Sequence, residues 1–445
     1  TAAPVLGKRY ADLKERVRPP RAALEAAWGR LQARVGLEVA EIRARGPTAI
    51  PVVDFADIAL GGGEFAEEVA TAIRRRGCVL VRNTVDAAVA AAMQVEAKCY
   101  IALNRGRLSG FPKDDPMVWE VYWSKAQLKM RQDQRMLATQ TALNRLWHCR
   151  ALPGSQGQLG LDVHRALTYC DRLRIRKPGD QSFTLGPHID GGSTERWEDE
   201  AYRKVYAAIL AGDWEEYDAF DGTHRAEARQ ELYGKSIGAC SLFRSFQGWL
   251  SLSSVGQGRG ALMVVPMVRE STAFIMMRPF LEDVPPDSFC GANPGKVQDL
   301  FPEFHQGLID GLVPTPEIRP GDSFWWHCDL VHAGEGTHSG AEDASVLYIP
   351  SVPLCARNAE YIQMQAARFA GGLTPPDFPP NHAEVECASR GAPDDLDEAG
   401  LRSMGLAEWP EAPVAGETRA AFEATRELRG ECRRIARQCH GQRQQ

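Results

Sequence analysis

Between Leu167 and about Pro353 the chain breaks into short runs of β-branched and aromatic residues, each closed by Gly, Pro or Asp. The runs are Leu173 to Ile175, Cys240 to Leu252, Gly260 to Val268, Thr272 to Met277, Ser323 to Leu330 and Ser345 to Ile349. Runs this short, repeated with turn signals between them, predict strands of an antiparallel sandwich or jelly-roll barrel. The flanks read differently. From Tyr10 to Arg45, apolar residues recur mostly at three- and four-residue steps, and Pro19-Pro20 splits the pattern into two helices. Ile50 to Phe55 and Cys78 to Arg82 read as strands, with helices through Ile73 and over Ala87 to Leu103. The stretch from Pro112 to Arg150 reads as helical, with Trp119, Trp123 and Trp147 as core anchors. The fold class expected is α+β, a double-stranded β-helix (jelly-roll) core with flanking N- and C-terminal helices.

This organisation divides the chain into a helical/αβ segment (1–110), a β core (111–355) and a helical extension (356–445). All three are expected to pack as one unit. Two insertions interrupt the core. Residues 194–238 are charged, aromatic and helical, and 279–320 are loop-like. The first insertion is placed to cover the core, and Trp197, Tyr202, Trp214 and Tyr217 either pack it down or line a pocket. The Arg-rich helix from Glu417 to Gln438 reads as a solvated face or as the contact of a homodimer.

A net charge of −6 excludes nucleic acid as the main partner, because phosphate binding needs a basic face. No apolar run reaches the roughly 20 residues that span a bilayer, so no membrane partner is expected. The eleven cysteines contain no Cys-x-x-Cys pair. They read as mostly small buried apolar residues of a reducing cytoplasm, with a surface redox role as the alternative for Cys432 or Cys439.

The residues that could carry chemistry cluster in two places. The first is Gly186-Pro187-His188-Ile189-Asp190-Gly191-Gly192. In an extended segment, residues two apart face the same side, so His188 and Asp190 can point into a barrel together. Two ligands of this type, with one more His, form the 2-His-1-carboxylate triad of non-haem Fe(II) oxygenases. The second place is Pro320-Gly321-Asp322, followed by an apolar run to His332 that also holds His327-Cys328-Asp329. On a regular strand Phe324, Trp326, Cys328, Leu330 and His332 share one face, and His327 and Asp329 the other. His332 is therefore the expected third ligand and His327 the second choice.

Other signatures fare worse. Gly234-Lys235-Ser236-Ile237-Gly238 matches Gly-x-Ser-x-Gly, but a helix-like segment precedes it and a strand-like run follows. That reverses the order of a nucleophile elbow, so a plain turn is expected. The three glycines Gly61 to Gly63 lack the Gly-Lys-Ser/Thr of a phosphate loop.

His188-x-Asp190 with Pro-Gly-Asp, strand, His332 resembles the double-stranded β-helix oxygenases that use Fe(II) and 2-oxoglutarate. More closely, several segments resemble the YbiU-like family of uncharacterised oxygenase-like proteins. They are Tyr122 to Lys125, Asp171 to Arg176, Gly186 to Ser193 with Glu195-Arg196-Trp197, Phe243 to Trp249, and Trp325 to Asp329. The resemblance is clearest from about residue 110 to 380. It implies an Fe(II)- and 2-oxoglutarate-dependent dioxygenase that uses O2 to hydroxylate a small-molecule substrate, which it does not name.

One departure stands out. Many such enzymes carry an Arg on the last barrel strand that pairs with the cosubstrate's far carboxylate. Here that window reads Glu342-Asp343-Ala344-Ser345-Val346. Another strand must supply the cation if 2-oxoglutarate is used. Arg244 is the first candidate, because it interrupts an apolar run. Arg174 is the second, because Arg172, Arg174 and Arg176 alternate with Leu173 and Ile175. Arg278 and Arg357 follow, and Gln247 and Ser345 could add hydrogen bonds. Two other classes fit part of the pattern. A cupin-like metal-dependent enzyme without 2-oxoglutarate would explain the missing Arg, and a non-catalytic small-molecule sensor could use the same barrel.

Overall fold

In the computed structural model, Pro19-Pro20 divides the N-terminal pattern into the helices Lys8–Val17 and Arg21–Arg45. The structure describes residues 3–181, 185–234, 240–380 and 384–443, the last four by backbone only. Cys78–Arg82 and Ala87–Leu103 form the expected strand and helix. Asp86 caps that helix by accepting from the Ala88 and Val89 amides.

Two antiparallel sheets position the site. The large one has eight strands. From one edge they run Val52–Asp54, Cys78–Arg82, Ser323–His327, Phe246–Ser251, Ala344–Tyr348, Leu173–Arg176, Val118–Trp119 and Gly110–Phe111. Only the first pair is parallel. The segment before residue 110 thus supplies strands to the same sheet as the core. The small sheet runs Gln298–Asp299, His188–Ile189, His332–Gly334, Leu262–Val264 and Val313–Pro314. From Leu173 onward the chain passes back and forth between the two sheets.

Register sorts the large sheet into two faces, because residues directly opposite on neighbouring strands point the same way. Trp326 lies opposite Gln247, Trp249 opposite Tyr348, and Val346 opposite Arg174. These form the face turned toward the small sheet. Trp325, His327, Leu250, Ser345 and Ile175 form the other face, which the helices cover.

Three expectations need correction. Thr272 to Met277 is not a strand but part of the helix Val268–Met277, packed against Arg21–Arg45. Every residue of it except Arg269 is buried. Burial all round erases the helical period, and a short apolar run then reads equally as strand. The stretch 112–150 is helical only over Lys125–Arg131 and Gln134–Asn144. Before them Val118–Trp119 joins the large sheet, and Trp119 is only half-buried while Trp123 and Trp147 are core. Cys432 is buried rather than at the surface, in the helix Arg426–Arg443 that packs on Ala356–Ala370. Among the described residues no helix is long and apolar enough to cross a membrane.

Candidate metal centre

His188 and His332 sit directly opposite each other on neighbouring antiparallel strands of the small sheet. That register places their side chains on one face, with ring centroids 4.3 Å apart. Asp190 follows two residues after His188, where the strand has just ended. The chain then turns through Gly191 and Gly192, both at positive φ (86° and 82°). A Cβ on Gly192 would also meet the Gln230 carbonyl at 3.1 Å. Only glycine combines that conformation with that clearance. Glu195 fixes the far side of the turn by accepting from the Ser193 and Gly295 amides, each at 2.7 Å.

The three side chains converge. His188 Nε2 lies 3.7 Å from Asp190 Oδ1, and His332 Nε2 lies 3.6 Å from Asp190 Oδ2. One ligand atom from each of the three falls within 4.8 Å of the others. Each imidazole is oriented from behind. His188 Nδ1 meets the Gly186 carbonyl at 2.7 Å, and His332 Nδ1 meets the Leu330 carbonyl at 3.0 Å. A carbonyl only accepts, so in each neutral ring Nδ1 carries the proton and Nε2 presents its lone pair to the centre. Burial and the adjacent His332 push His188 below the usual imidazole value, which favours the neutral ligand form. Burial would raise Asp190, but His332, His188 and Arg244 together hold its carboxyl well below the usual range. The donor set is therefore two neutral nitrogens and one carboxylate, with no cysteine, and it fits a divalent metal of the iron class.

Gln247 proves to be a support for this set. With both ends of its amide paired, Nε2 donates to Asp190 Oδ2 at 2.7 Å and Oε1 accepts from Trp326 Nε1 at 3.2 Å. Arg196 donates to the Asp190 carbonyl at 2.8 Å. Sequence reasoning did not give Trp326 or Arg196 a role. The signal for Trp326 was present, since parity sets it on the His332 face, and its ring centroid lies 5.3 Å from that of His332. Parity worked for a reason other than the one assumed. The strand ends at His327, and His332 begins a new strand in the other sheet.

The basic candidates separate clearly. Arg174 is buried on the face turned toward the small sheet. It interacts with Tyr348, but its Nε and Nη2 have no hydrogen-bond partner among the described residues. Burial pushes this guanidinium below its ordinary value. Arg244 is half-buried, stands over the Tyr169 ring at 6.0 Å and has no hydrogen bond or ion pair among the described residues. Arg176 is committed to Asp180 at 2.7 Å and to the Glu335 carbonyl at 2.6 Å, and Arg172 is ion-paired to Asp171 and Glu120. Arg278 forms a fork with Asp283 at 2.7 and 2.6 Å, and Arg357 pairs with Glu231 at 3.0 Å, so both are structural.

Ser345 is placed elsewhere. It lies on the opposite face and accepts from Gln94 Nε2 at 2.8 Å. One residue of register decides this, because adjacent strand residues face opposite ways. His327 is likewise turned away. It stacks on Trp147, and its Nε2 bonds the Ala219 carbonyl at 2.9 Å. The aromatic residues of the first insertion, Trp197, Tyr202, Trp214 and Tyr217, are all buried and pack it onto the core. Of the Gly-x-Ser-x-Gly match, only Gly234 is described, and Lys235 to Gly238 lie outside the described residues.

Comparison with known proteins identifies the family of the chain. Residues 4–406 match the Gig2-like family. The uncharacterised protein YbiU of Escherichia coli (strain K12) is 34% identical over 416 residues, covering 89% of this chain and 97% of that protein. The crystal structure of GlcNAc Inducible Gene 2, GIG2, from Candida albicans superposes with a TM-score of 0.85 at 30% identity, covering 98% and 96% of the two chains. The hypothetical protein JW0805 from Escherichia coli gives a TM-score of 0.80 at 32% identity, over 91% of this chain and all of that one. The resemblance to the YbiU-like family is thereby borne out, and the chain belongs to the Gig2-like family, which includes YbiU.

Proposed function

We propose that this protein is an Fe(II)- and 2-oxoglutarate-dependent oxygenase of small molecules, built on a double-stranded β-helix. The observation that carries the reading is the convergence of two Nε2 lone pairs and one carboxylate, each held from behind. Strand order supports the core. Leu173–Arg176, Ala344–Tyr348, Phe246–Ser251 and Ser323–His327 lie side by side in one sheet. His188–Ile189, His332–Gly334, Leu262–Val264 and Val313–Pro314 lie side by side in the other. Chain alternation between the sheets is the winding of a jelly roll.

When bound, Fe(II) supplies O2 activation, and 2-oxoglutarate supplies two electrons as it loses CO2 and becomes succinate. His188, Asp190 and His332 would hold the ion. Gln247 keeps Asp190 turned inward. Arg174 answers the missing strand-end Arg. A buried guanidinium with two nitrogens unpaired among the described residues is costly alone and is satisfied by a carboxylate fork. It replaces Arg244 as the first choice for the cosubstrate, because its unpaired donors are buried.

Anaerobic absorption titration of the metal-free protein tests this. Fe(II) followed by 2-oxoglutarate is expected to give a visible charge-transfer band that needs both, and R174Q is expected to bind iron but lose the band. Iron binding without a band in the wild type would replace this reading with a cupin-like enzyme.

A further inference from the structure

Where the helix Arg426–Arg443 packs on Ala356–Ala370, the two helices and residues 405–409 surround a cavity of about 190 Å³. A void of about 150 Å³ already admits benzene. Leu167, Leu354 and Ile362, all buried, line it from the core, and Leu406, Cys432 and Ala436 line it from the C-terminal segment. None of the three metal ligands lines it, and neither do Gln247 and Arg174.

The polar groups on this wall are mostly donors. Trp409 Nε1 is buried and has no hydrogen-bond partner among the described residues. An indole N–H can only donate, so it calls for an acceptor. Three guanidinium groups also line the cavity, those of Arg402, Arg429 and Arg433. Arg429 belongs to a buried set with Arg165, Asp162 and Glu417, in which two cations face two anions. Arg402 pairs with Glu398 one helical turn away, and Arg433 is held by one contact to Glu411 at 3.2 Å. Those two carboxylates are 74% and 72% exposed. Ion pairs this exposed are weak, and a carboxylate released from one stays in water at little cost. Glu408, the one acid on the wall among the described residues, is taken by Arg437 at 3.3 Å. Gln363 donates to the Gly405 carbonyl at 3.0 Å.

We propose that this cavity is a second ligand site, separate from the metal centre, for a small carboxylic acid whose apolar body is about the size of one ring. The carboxylate accepts from Trp409 Nε1 and draws Arg433 away from Glu411, while the body lies against the leucines. A neutral ligand would leave Arg433 where it is, and a bare anion would leave the apolar wall wet. The site stands whether or not the oxygenase reading holds.

The test is calorimetric titration of the full chain, metal-free and loaded anaerobically with Fe(II), with benzoate, benzyl alcohol, acetate and inorganic phosphate. Benzoate is expected to bind with a Kd below about 1 mM, and the other three at least about tenfold more weakly. Iron is expected to leave the benzoate affinity unchanged. W409F and R433Q are each expected to lose about tenfold. A436W fills the cavity and is expected to lose benzoate while melting as the wild type does. Benzoate binding that needs iron, or that survives in A436W, overturns the proposal, because the acid then sits elsewhere. Equal binding of benzyl alcohol removes the role of charge, and equal binding of acetate or phosphate removes that of the apolar body; each overturns it. Wild-type affinity in W409F or in R433Q does so too, as does a wild type that binds no benzoate.

Discussion

Two His-x-Asp pairs lie close together in this fold and do opposite things. At His188-Ile189-Asp190, both rings of the centre have Nδ1 tied to a carbonyl and Nε2 directed at a shared point. The carboxylate between them keeps 21% of its side chain exposed. At His327-Cys328-Asp329 every valence is used. His327 Nε2 meets the Ala219 carbonyl, and its Nδ1 accepts from the Asp329 amide at 3.0 Å. Asp329 is fully buried and ion-paired with both Arg196 and Arg225. Burial would raise its pKa, yet the two guanidinium groups hold it far below the usual carboxylate range. The residue types alone do not make a metal site. Unused lone pairs facing one point do, and the same side chains with all valences filled become a brace between the first insertion and the sheet.

Breaking each pair in turn should separate the two roles. The largest effect is expected from D190A, which should weaken Fe(II) binding beyond the roughly 100-fold limit of an outer-shell change while the metal-free protein melts as the wild type does. Calorimetric iron titration beside a thermal melt checks it, and retained iron affinity would remove Asp190 from the centre. D329N should do the reverse. It leaves Arg196 and Arg225 buried without a counter-charge, and a loss of about 3–5 kcal/mol is expected in urea unfolding. A stability close to wild type would show that the brace is not needed. Next comes Q247L, which deletes the donor to Asp190 and should lower iron affinity by about 10–100-fold with the triad intact.

The smallest effect at neutral pH is expected from H327Q. Burial, only partly opposed by Asp329, pushes His327 down to about 4 from its ordinary 6.5. The unfolded chain therefore takes up a proton near 6.5 that the folded chain refuses until about 4. The resulting stability is complete above 6.5 and is lost as pH falls toward 4. Gln can donate to Ala219 and accept from Asp329 but does not titrate in this range. Melts of H327Q should therefore match the wild type at neutral pH and fall less steeply over that window. Parallel curves would assign the acid sensitivity to other groups.

Much of this was legible in the chain. Cys78–Arg82 and Ala87–Leu103 coincide with their sequence boundaries, because each is a strong local pattern ended by its own turn or cap. His188, Asp190 and His332 were readable from spacing and from the family motifs. Val268–Met277 was not, because a helix buried on every side shows no polar face to count from. Ser345 and Arg174 were not separable either, since both depend on strand register, and register is a pairing between distant segments.

Local chemistry in the sequence determined the ligand types, the turn glycines after Asp190 and most of the elements that carry them. Periodicity, proline and capping act within a few residues and can be read there. Tertiary structure alone decided which of the two His-x-Asp pairs stays open, that Gln247 supports Asp190, and that Arg174 keeps two buried nitrogens unpaired among the described residues. Each of those is a contact between segments dozens to more than a hundred residues apart. Whether a polar group in such a contact is satisfied depends on what the fold brings against it, not on its neighbours in the chain.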